Sequence, residues 1–543
     1  MKKNKSTHKR SGRRFGVGAA RLIGSAALVM SAMPAAAFEV DTGNPDVKVR
    51  WDNTLKYNAG WRAEGRDDKL GDAWIGQATN HGWDTGDMVT NRFDLLTEFD
   101  FIYKESHGFR VSAVAWNDFA YSDRVRGNPK LSGMGETAYP GNKFTKHVER
   151  WYKGSGELLD AFVFTKLNVG SVPVNLRIGR HNVYWGESLF TFANSIAYGQ
   201  GPLDLRKATS TPGIEAKELF LPQNQISMGA KLTDNISLAA NYYAEWDPHR
   251  LPEGGTYLGG ADLSFLGGTN YLGYPVVGDL SSGPNRKPGN TGSWGVMTKI
   301  KSDLVGGDVG FYYRRFDDRY PTMVGDPSYM YNAYAEDVKL YGVSLSRLVG
   351  SVSVGAEISR REGTALASNG TGLAKGNTWH ALVNAIAYFG KTPLYHSAPL
   401  TMELNYVRLD EVSKSTEGFF NHEKHGCTAG IKAGCATDDA FGLNIAFTPT
   451  WFQVVPGVDM TMPINYSRGL KGNSVTPMGP GENAGAWSVG MGLEVINKYI
   501  VNLSYNDYFG GYGVTNGVWN GTANGSGVLR DRGWVSLTLK TTF

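Results

Sequence analysis

A strict two-residue alternation of apolar and polar side chains constrains this chain more than any other feature. At the end of the sequence Val535, Leu537, Leu539, Thr541 and Phe543 alternate with Trp534, Ser536, Thr538 and Lys540. Phe93, Leu95, Phe99 and Phe101 alternate with Arg92, Asp94, Glu98 and Asp100. Val352, Val354, Ala356 and Ile358 oppose Ser353, Gly355, Glu357 and Ser359, and Leu400, Met402, Leu404 and Tyr406 oppose Thr401, Glu403 and Asn405. Successive side chains of a strand point to opposite faces, so each segment has one apolar and one polar face. The fold class read from this pattern is all-β.

A soluble sandwich and a membrane barrel both satisfy the alternation, the first with its apolar face inward and the second with it toward lipid. Connection lengths decide. Eighteen strands fit the pattern, with sixteen as the alternative count. Their joints alternate short and long: Ser106-His107, Asp234, Leu348 to Gly350 and Asn497-Lys498 against 63–88, 123–156, 185–223, 247–291, 412–438 and 511–528. Short turns on one side and long extracellular loops on the other describe a transmembrane antiparallel β-barrel. Trp51, Trp61, Tyr103, Trp246, Trp294, Trp379, Phe389 and Trp451 sit near strand ends and are expected in the interfacial girdles. The last strand, ending on Phe543, resembles the C-terminal insertion signal of bacterial outer-membrane barrels. That resemblance implies the barrel-assembly machinery and outer-membrane lipid as partners.

Residues 1–37 read as a cleaved secretory leader, leaving 38–543 as the barrel. Lys2, Lys3, Lys5, Lys9, Arg10, Arg13 and Arg14 form a basic head, Leu22 to Met33 an apolar stretch, and Ala35-Ala36-Ala37 the cleavage site. The leader holds eight basic residues and no acid, so 55 Lys and Arg fall to 47 against 51 acids, a net of −4. Nucleic-acid binding loses its support, because it needs a basic patch. The 65 aromatics (24 Phe, 14 Trp and 27 Tyr) exclude a disordered chain, and two Cys exclude a disulfide scaffold.

The most distinctive run is Leu176-Arg177-Ile178-Gly179-Arg180-His181-Asn182-Val183-Tyr184-Trp185-Gly186-Glu187-Ser188. It leaves a strand and enters a connection of nearly forty residues. That connection contains Gly201-Pro202-Leu203-Asp204-Leu205-Arg206-Lys207. Here the chain resembles the uncharacterised Gram-negative outer-membrane family labelled domain of unknown function thirteen-oh-two. Its G-R-x-x-x-x-W-G-E-S segment is matched by Gly179, Arg180, Trp185, Gly186, Glu187 and Ser188, and its E-x-K-E-x-x-L-P segment by Glu215 to Pro222. An early strand ending in Trp61-Arg62 fits as well. Phe190-Thr191-Phe192-Ala193-Asn194 departs from the family pattern, which implies different loop contents.

The W-G-E-S loop is expected to fold into the lumen as a constriction. Tyr184 and Trp185 would offer apolar surface, and Arg180, Glu187, Asp204 and Arg206 would set polarity. The plainer expectation is an Arg180–Glu187 ion pair pinning the loop to the wall. Charges expected to face the lumen include Arg92, Asp94, Glu98, Asp100, Arg177, Arg314, Glu357 and Glu403, with Lys231 and Glu245 among the rest. They are mixed in sign and read as bracing pairs, since a selective pore shows a ring of one sign. Cys427 and Cys435 follow His422 and His425. A metal site and a loop disulfide both fit, and C-x7-C matches no common zinc pattern, which favours the disulfide.

No cofactor and no metal is expected, and no enzyme. G-x-S-x-G, H-E-x-x-H and Gly-rich phosphate loops are absent from the sequence. Asp317-Asp318 with His380 is the residual hydrolase reading. The function expected is an outer-membrane channel or transporter. The family resemblance implies a hydrophobic, aromatic or lipid-like cargo, a periplasmic partner protein and an inner-membrane exporter. The alternative is a non-transporting envelope scaffold or surface receptor.

Overall fold

The computed structural model describes residues 38–73, 77–122, 124–129, 137, 139–211, 216–262, 281–282, 286–326 and 329–543. The leader expected at 1–37 and Glu215 of the E-x-K-E segment lie outside them. Eighteen antiparallel strands close into one barrel. In chain order they are β1 Val47–Arg62, β2 Met88–Tyr103, β3 His107–Asp118, β4 Gly154–Val169, β5 Val172–His181 and β6 Gln223–Lys231. There follow β7 Ile236–Tyr243, β8 Trp294–Ser302, β9 Gly307–Phe316, β10 Val338–Val349, β11 Val352–Ala365 and β12 Lys375–Phe389. The last six are β13 Ala398–Val412, β14 Asp439–Phe447, β15 Ile464–Lys471, β16 Gly485–Val495, β17 Tyr499–Phe509 and β18 Trp534–Thr542. Each pairs with its neighbour in sequence, and β18 closes on β1 in the register Leu55↔Thr541 to Arg62↔Trp534. Phe543 extends the seam by exchanging backbone hydrogen bonds with Asn53 at 2.8 and 2.9 Å. Closure leaves no edge strand unpaired, as lipid requires.

The burial pattern is inverted relative to a soluble protein. Phe93, Leu95, Val163, Ile226, Phe311, Ile358, Leu404, Met491 and Leu503 are exposed on the outer wall. Lys56, Arg62, Asp94, Arg314 and Glu403 are buried inside. An apolar outer band around a polar interior marks the wall as lipid-facing. Both the strand count and the faces expected from alternation hold.

Short turns gather at one mouth. Val495 and Lys498 are joined through Ile496 (φ 47) and Asn497 (φ 54), both left-handed as a tight hairpin turn demands. Long connections gather at the other mouth. Three of them pack there into a cap over β1–β3, around Trp83, Tyr121, Tyr152, Tyr257 and the inward-facing Trp534. Boundaries differ from the sequence reading in places. The third strand stops at Asp118, where its carboxylate turns back onto the backbone amides of Asn91 and Ala120. The last strand starts at Trp534, because Gly525–Leu529 forms a 3-10 turn. Trp246 is not a girdle residue; it is buried against Tyr334, ring centres 4.8 Å apart.

Candidate functional site: a loop latched across the lumen

The connection from β5 to β6, residues 182–222, runs inside the barrel. Its first part is held by two wall carboxylates near mid-height. Glu357 on β11 accepts the backbone amides of Ser188 at 3.1 Å and Ile196 at 2.7 Å, and that of Glu187. Glu403 on β13 accepts those of Leu189 at 2.7 Å, Phe190 at 3.3 Å and Thr191 at 2.7 Å. Six loop amides are thus satisfied by two anions, the stronger class of hydrogen bond. Gly186 makes this approach feasible. Its φ is +108, and a Cβ there would stand 2.4 Å from the Glu357 Oε1.

Loop carbonyls are met by wall cations and amides. Arg314 donates to the carbonyls of Ile196 and Tyr198 at 3.1 and 2.5 Å, Arg361 to that of Ser195 at 2.9 Å, and Asn384 to that of Glu187 at 2.6 Å. Asn194 donates to Asn405 at 2.8 Å. Trp185 is buried with Ile196, Tyr198, Tyr312 and Phe316, so it offers the passage no free apolar face. Gly295 on β8 leaves room for its ring. Tyr184 stays half-exposed, donating to the Ser188 carbonyl at 2.8 Å.

The far part of the loop is fixed to the opposite wall. Asp204 caps the helix Leu205–Ser210 and grips the Arg206 guanidinium at 2.8 and 3.1 Å. Arg206 and Arg250 lie over the Trp151 ring, 4.2 and 4.3 Å from its centre, and Trp151 stacks on Trp116. Glu157 on β4 takes Arg250 at 2.8 Å and Lys207 at 3.4 Å, while Lys56 on β1 takes Glu218 at 2.9 Å. Burial alone would raise the Asp204 pKa. Arg206, Lys207 and Arg250 outweigh it and hold the carboxyl well below the usual range. His249 accepts the Leu203 amide at 2.9 Å, and burial, helped by Arg319, lowers its pKa to about 3.

The expected Arg180–Glu187 pair does not form. Arg180 shares its face of β5 with Leu176 and Ile178, so it points outward at the rim and meets Glu245 at 2.8 Å. Glu187 instead meets Lys299 on β8 at 2.9 Å. Glu245 therefore leaves the lumen set; Lys231 keeps the inward face of β6 with Gln225, Ser227 and Gly229 and pairs with Asp234 at a short turn. Asp204 and Arg206 are buried and paired with each other, lining an internal pocket with Arg92, Trp151 and Lys207. Arg92 and Asp94 pair at 2.8 Å, Asp100 pairs with Arg110 at 2.6 Å, and Glu98 and Arg177 face the lumen. His380 bonds Thr378 and Asn194, while Asp318 accepts Tyr198 and Tyr320, so the residual hydrolase residues serve separate contacts. Cys427 and Cys435 are disulfide-bonded. His422 faces Asp438 at 3.2 Å, and no metal-holding cluster occurs among the described residues.

The lumen wall between these two anchoring arcs is different in kind. From mid-height toward the long-loop mouth, β14–β18 turn inward Gly442, Asn444, Asn465, Ser467, Ser488, Gly490, Ser504, Asn506, Ser536 and Thr538. Asp459, Glu494 and Lys540 enter only toward the short-turn mouth. Gly442, Asn444 and Ser467 of this stripe line a cavity together with Thr191, Ala193 and Asn194 of the loop. Asn384 and Arg361 were missed by sequence reasoning, and Asn405, Ser536 and Thr538 entered it only as polar-face residues with no role. Parity alone marks them as inward, but small neutral residues carry no signal of use.

The family model described as Protein of unknown function (DUF1302) matches residues 18–543. The chain belongs to this family. A search of curated proteins returns no match. Among solved structures this family member is similar to Acinetobacter baumannii OccAB2, at 10% identity over 91% of this chain and 98% of that one, TM-score 0.42. It is similar to the outer membrane channel DcaP of Acinetobacter baumannii, at 12% identity over 94% and 100%, TM-score 0.37. Pseudomonas aeruginosa OccK2 (OpdF) in complex with glucuronate gives 11% identity over 91% and 98%, TM-score 0.41.

Proposed function

We propose that this DUF1302 chain is an outer-membrane channel for an uncharged hydrophobic, aromatic or lipid-like compound, exported behind a leader cut after Ala37. The observation that carries the reading is the charge-free stripe of β14–β18 facing the latched loop. A charged cargo needs counter-charges along its path, whereas a neutral one passes small hydroxyl and amide groups without them. The loop narrows the lumen and leaves that stripe as its open side. A periplasmic partner and an inner-membrane exporter complete the proposed route. The test is flux into vesicles carrying the purified protein. Neutral aromatic probes should enter faster than carboxylated analogues of equal size, and deletion of residues 190–214 should raise single-channel conductance. Equal rates for both probes, or unchanged conductance, would overturn the reading.

The packed cap over β1–β3 favours the second reading, a scaffold or receptor barrel whose loops hold a partner. A barrel with no flux of either probe would support it.

A further inference from the structure

A chain of hydrogen bonds runs from the barrel wall to the loop and back. On β12 the Thr378 hydroxyl and the His380 Nε2 lie 2.9 Å apart. His380 Nδ1 lies 3.3 Å from the Asn194 Oδ1, and the Asn194 Nδ2 donates to the Asn405 Oδ1 at 2.8 Å. An Asn194 that donates to Asn405 turns its oxygen to His380. The imidazole therefore carries its proton on Nδ1 and accepts from Thr378 on Nε2. Every donor in the chain points toward Asn405. Its own Nδ2 bonds nothing among the described residues, although Asn405 is only 4% exposed. Aligned hydrogen bonds polarise one another, so this last N–H is a strengthened donor, and a buried donor left unpaired is costly.

That donor faces the cavity between the loop and β13–β15. Gly442, its cross-strand neighbour, leaves the room: a Cβ there would stand 2.8 Å from the Asn405 Nδ2. Most other polar groups of the lining are already bonded. The Thr191 hydroxyl bonds Glu403, that of Ser467 the Ala486 carbonyl at 3.3 Å, and that of Ser526 the Gly485 and Phe509 carbonyls at 2.7 and 2.8 Å. Arg468, the one ionisable residue among the described lining, gives its guanidinium to Asn483 at 2.5 Å. Asn444, inward on β14 beside Ser467, adds the one other unbonded amide among the described lining residues. Ala193, Met478, Pro480 and Ala484 give the cavity apolar surface.

We infer that this cavity binds a neutral, mostly apolar compound through an acceptor oxygen, such as a carbonyl, held by the Asn405 Nδ2. An anion would find no unpaired cation there, and a polyol would leave most of its hydroxyls without partners. A few placed polar groups in an apolar lining are what orient a small molecule. The site rests on the channel reading only for its role, a stop on the cargo's route.

The test irradiates full-length protein in lipid nanodiscs with benzophenone, an aromatic ketone that labels nearby C–H bonds, and locates the label by mass spectrometry. Label should gather on 191–194 and 478–484. Acetophenone should displace it at concentrations about tenfold below those needed of ethylbenzene, which has its shape but no acceptor. Aniline, a donor, and benzoate, an anion, should compete no better than ethylbenzene. Gly442→Ala keeps every polar group but covers the amide, and Asn405→Asp keeps an oxygen for Asn194 but removes the donor. Each should cut labelling about tenfold, with heat-modifiable gel migration showing a folded barrel. Label spread along the lumen, equal displacement by ethylbenzene, aniline or benzoate, or unchanged labelling of the folded variants would overturn the inference. The expected labelling without flux would reject transport and keep the site. A flux preference for neutral probes with the label elsewhere would reject the site alone.

Discussion

The Glu403 carboxylate accepts the Leu189 amide at 2.7 Å, and with it those of Phe190 and Thr191. Glutamine at 403 would keep the shape and one acceptor oxygen but turn its amide donor toward the loop N–H groups on the other side. Each buried amide left unpaired costs about 1–3 kcal/mol. Glu403→Gln should therefore free the loop tip and raise mean single-channel conductance, with longer open times. Conductance identical to wild type would refute the latch.

Gly186 offers a second route to the same outcome. Its positive φ and the 2.4 Å approach to Glu357 leave no place for a Cβ. Gly186→Ala should displace the loop at a cost of about 1–3 kcal/mol of local strain. Limited proteolysis of residues 186–200 should become faster, while barrel migration on unheated gels stays folded.

Acid should loosen the far anchor. The folded His249 pKa, about 3, lies below its ordinary 6.5. Its stabilisation is therefore complete above the unfolded value and is lost as pH falls from about 6.5 toward 3, by about 1.4 kcal/mol per unit. Protonation also removes the acceptor for the Leu203 amide. Asp204, with a lowered pKa, loses its contribution further down, below the ordinary carboxylate range. Hydrogen exchange of residues 203–210 should speed up below pH 6. His249→Asn should flatten that response between pH 6 and 4.

Reducing Cys427–Cys435 should leave the barrel intact. The bridge closes a short stretch, separation 8, which chain entropy values at about 2–3 kcal/mol. Cys427→Ser with Cys435→Ser should speed protease cleavage within 412–438 without changing the thermal midpoint of the barrel.

Charge placed on the neutral stripe should be felt by ions. Ser504 faces the lumen on β17 between Gly490 and Ser536. Ser504→Asp should shift the reversal potential in a salt gradient toward cation selectivity, and Ser504→Lys toward anions. No shift with either would place the ion path elsewhere.

The wall was legible in the sequence because period two is local. Glu357 between Ala356 and Ile358 could face only inward, and the eighteen strands followed from such runs. Parity also held the answer for Arg180, since Leu176 and Ile178 share its face. What alternation could not supply is which loop residue meets which wall residue. Glu403 and Leu189 are more than two hundred residues apart, and backbone amides carry no sequence signature. The neutral stripe was equally hidden, because glycine and serine on an inward face look like filler until the lumen opposite them is seen to be full.

The latch has a consequence for biogenesis. The loop between β5 and β6 is made early, yet its anchors at Glu357 and Glu403 belong to β11 and β13. A growing sheet that lacks those strands has nothing to receive the six amides. The plug is thus completed late in assembly, and a nascent barrel stays hollow until two thirds of its staves are in place.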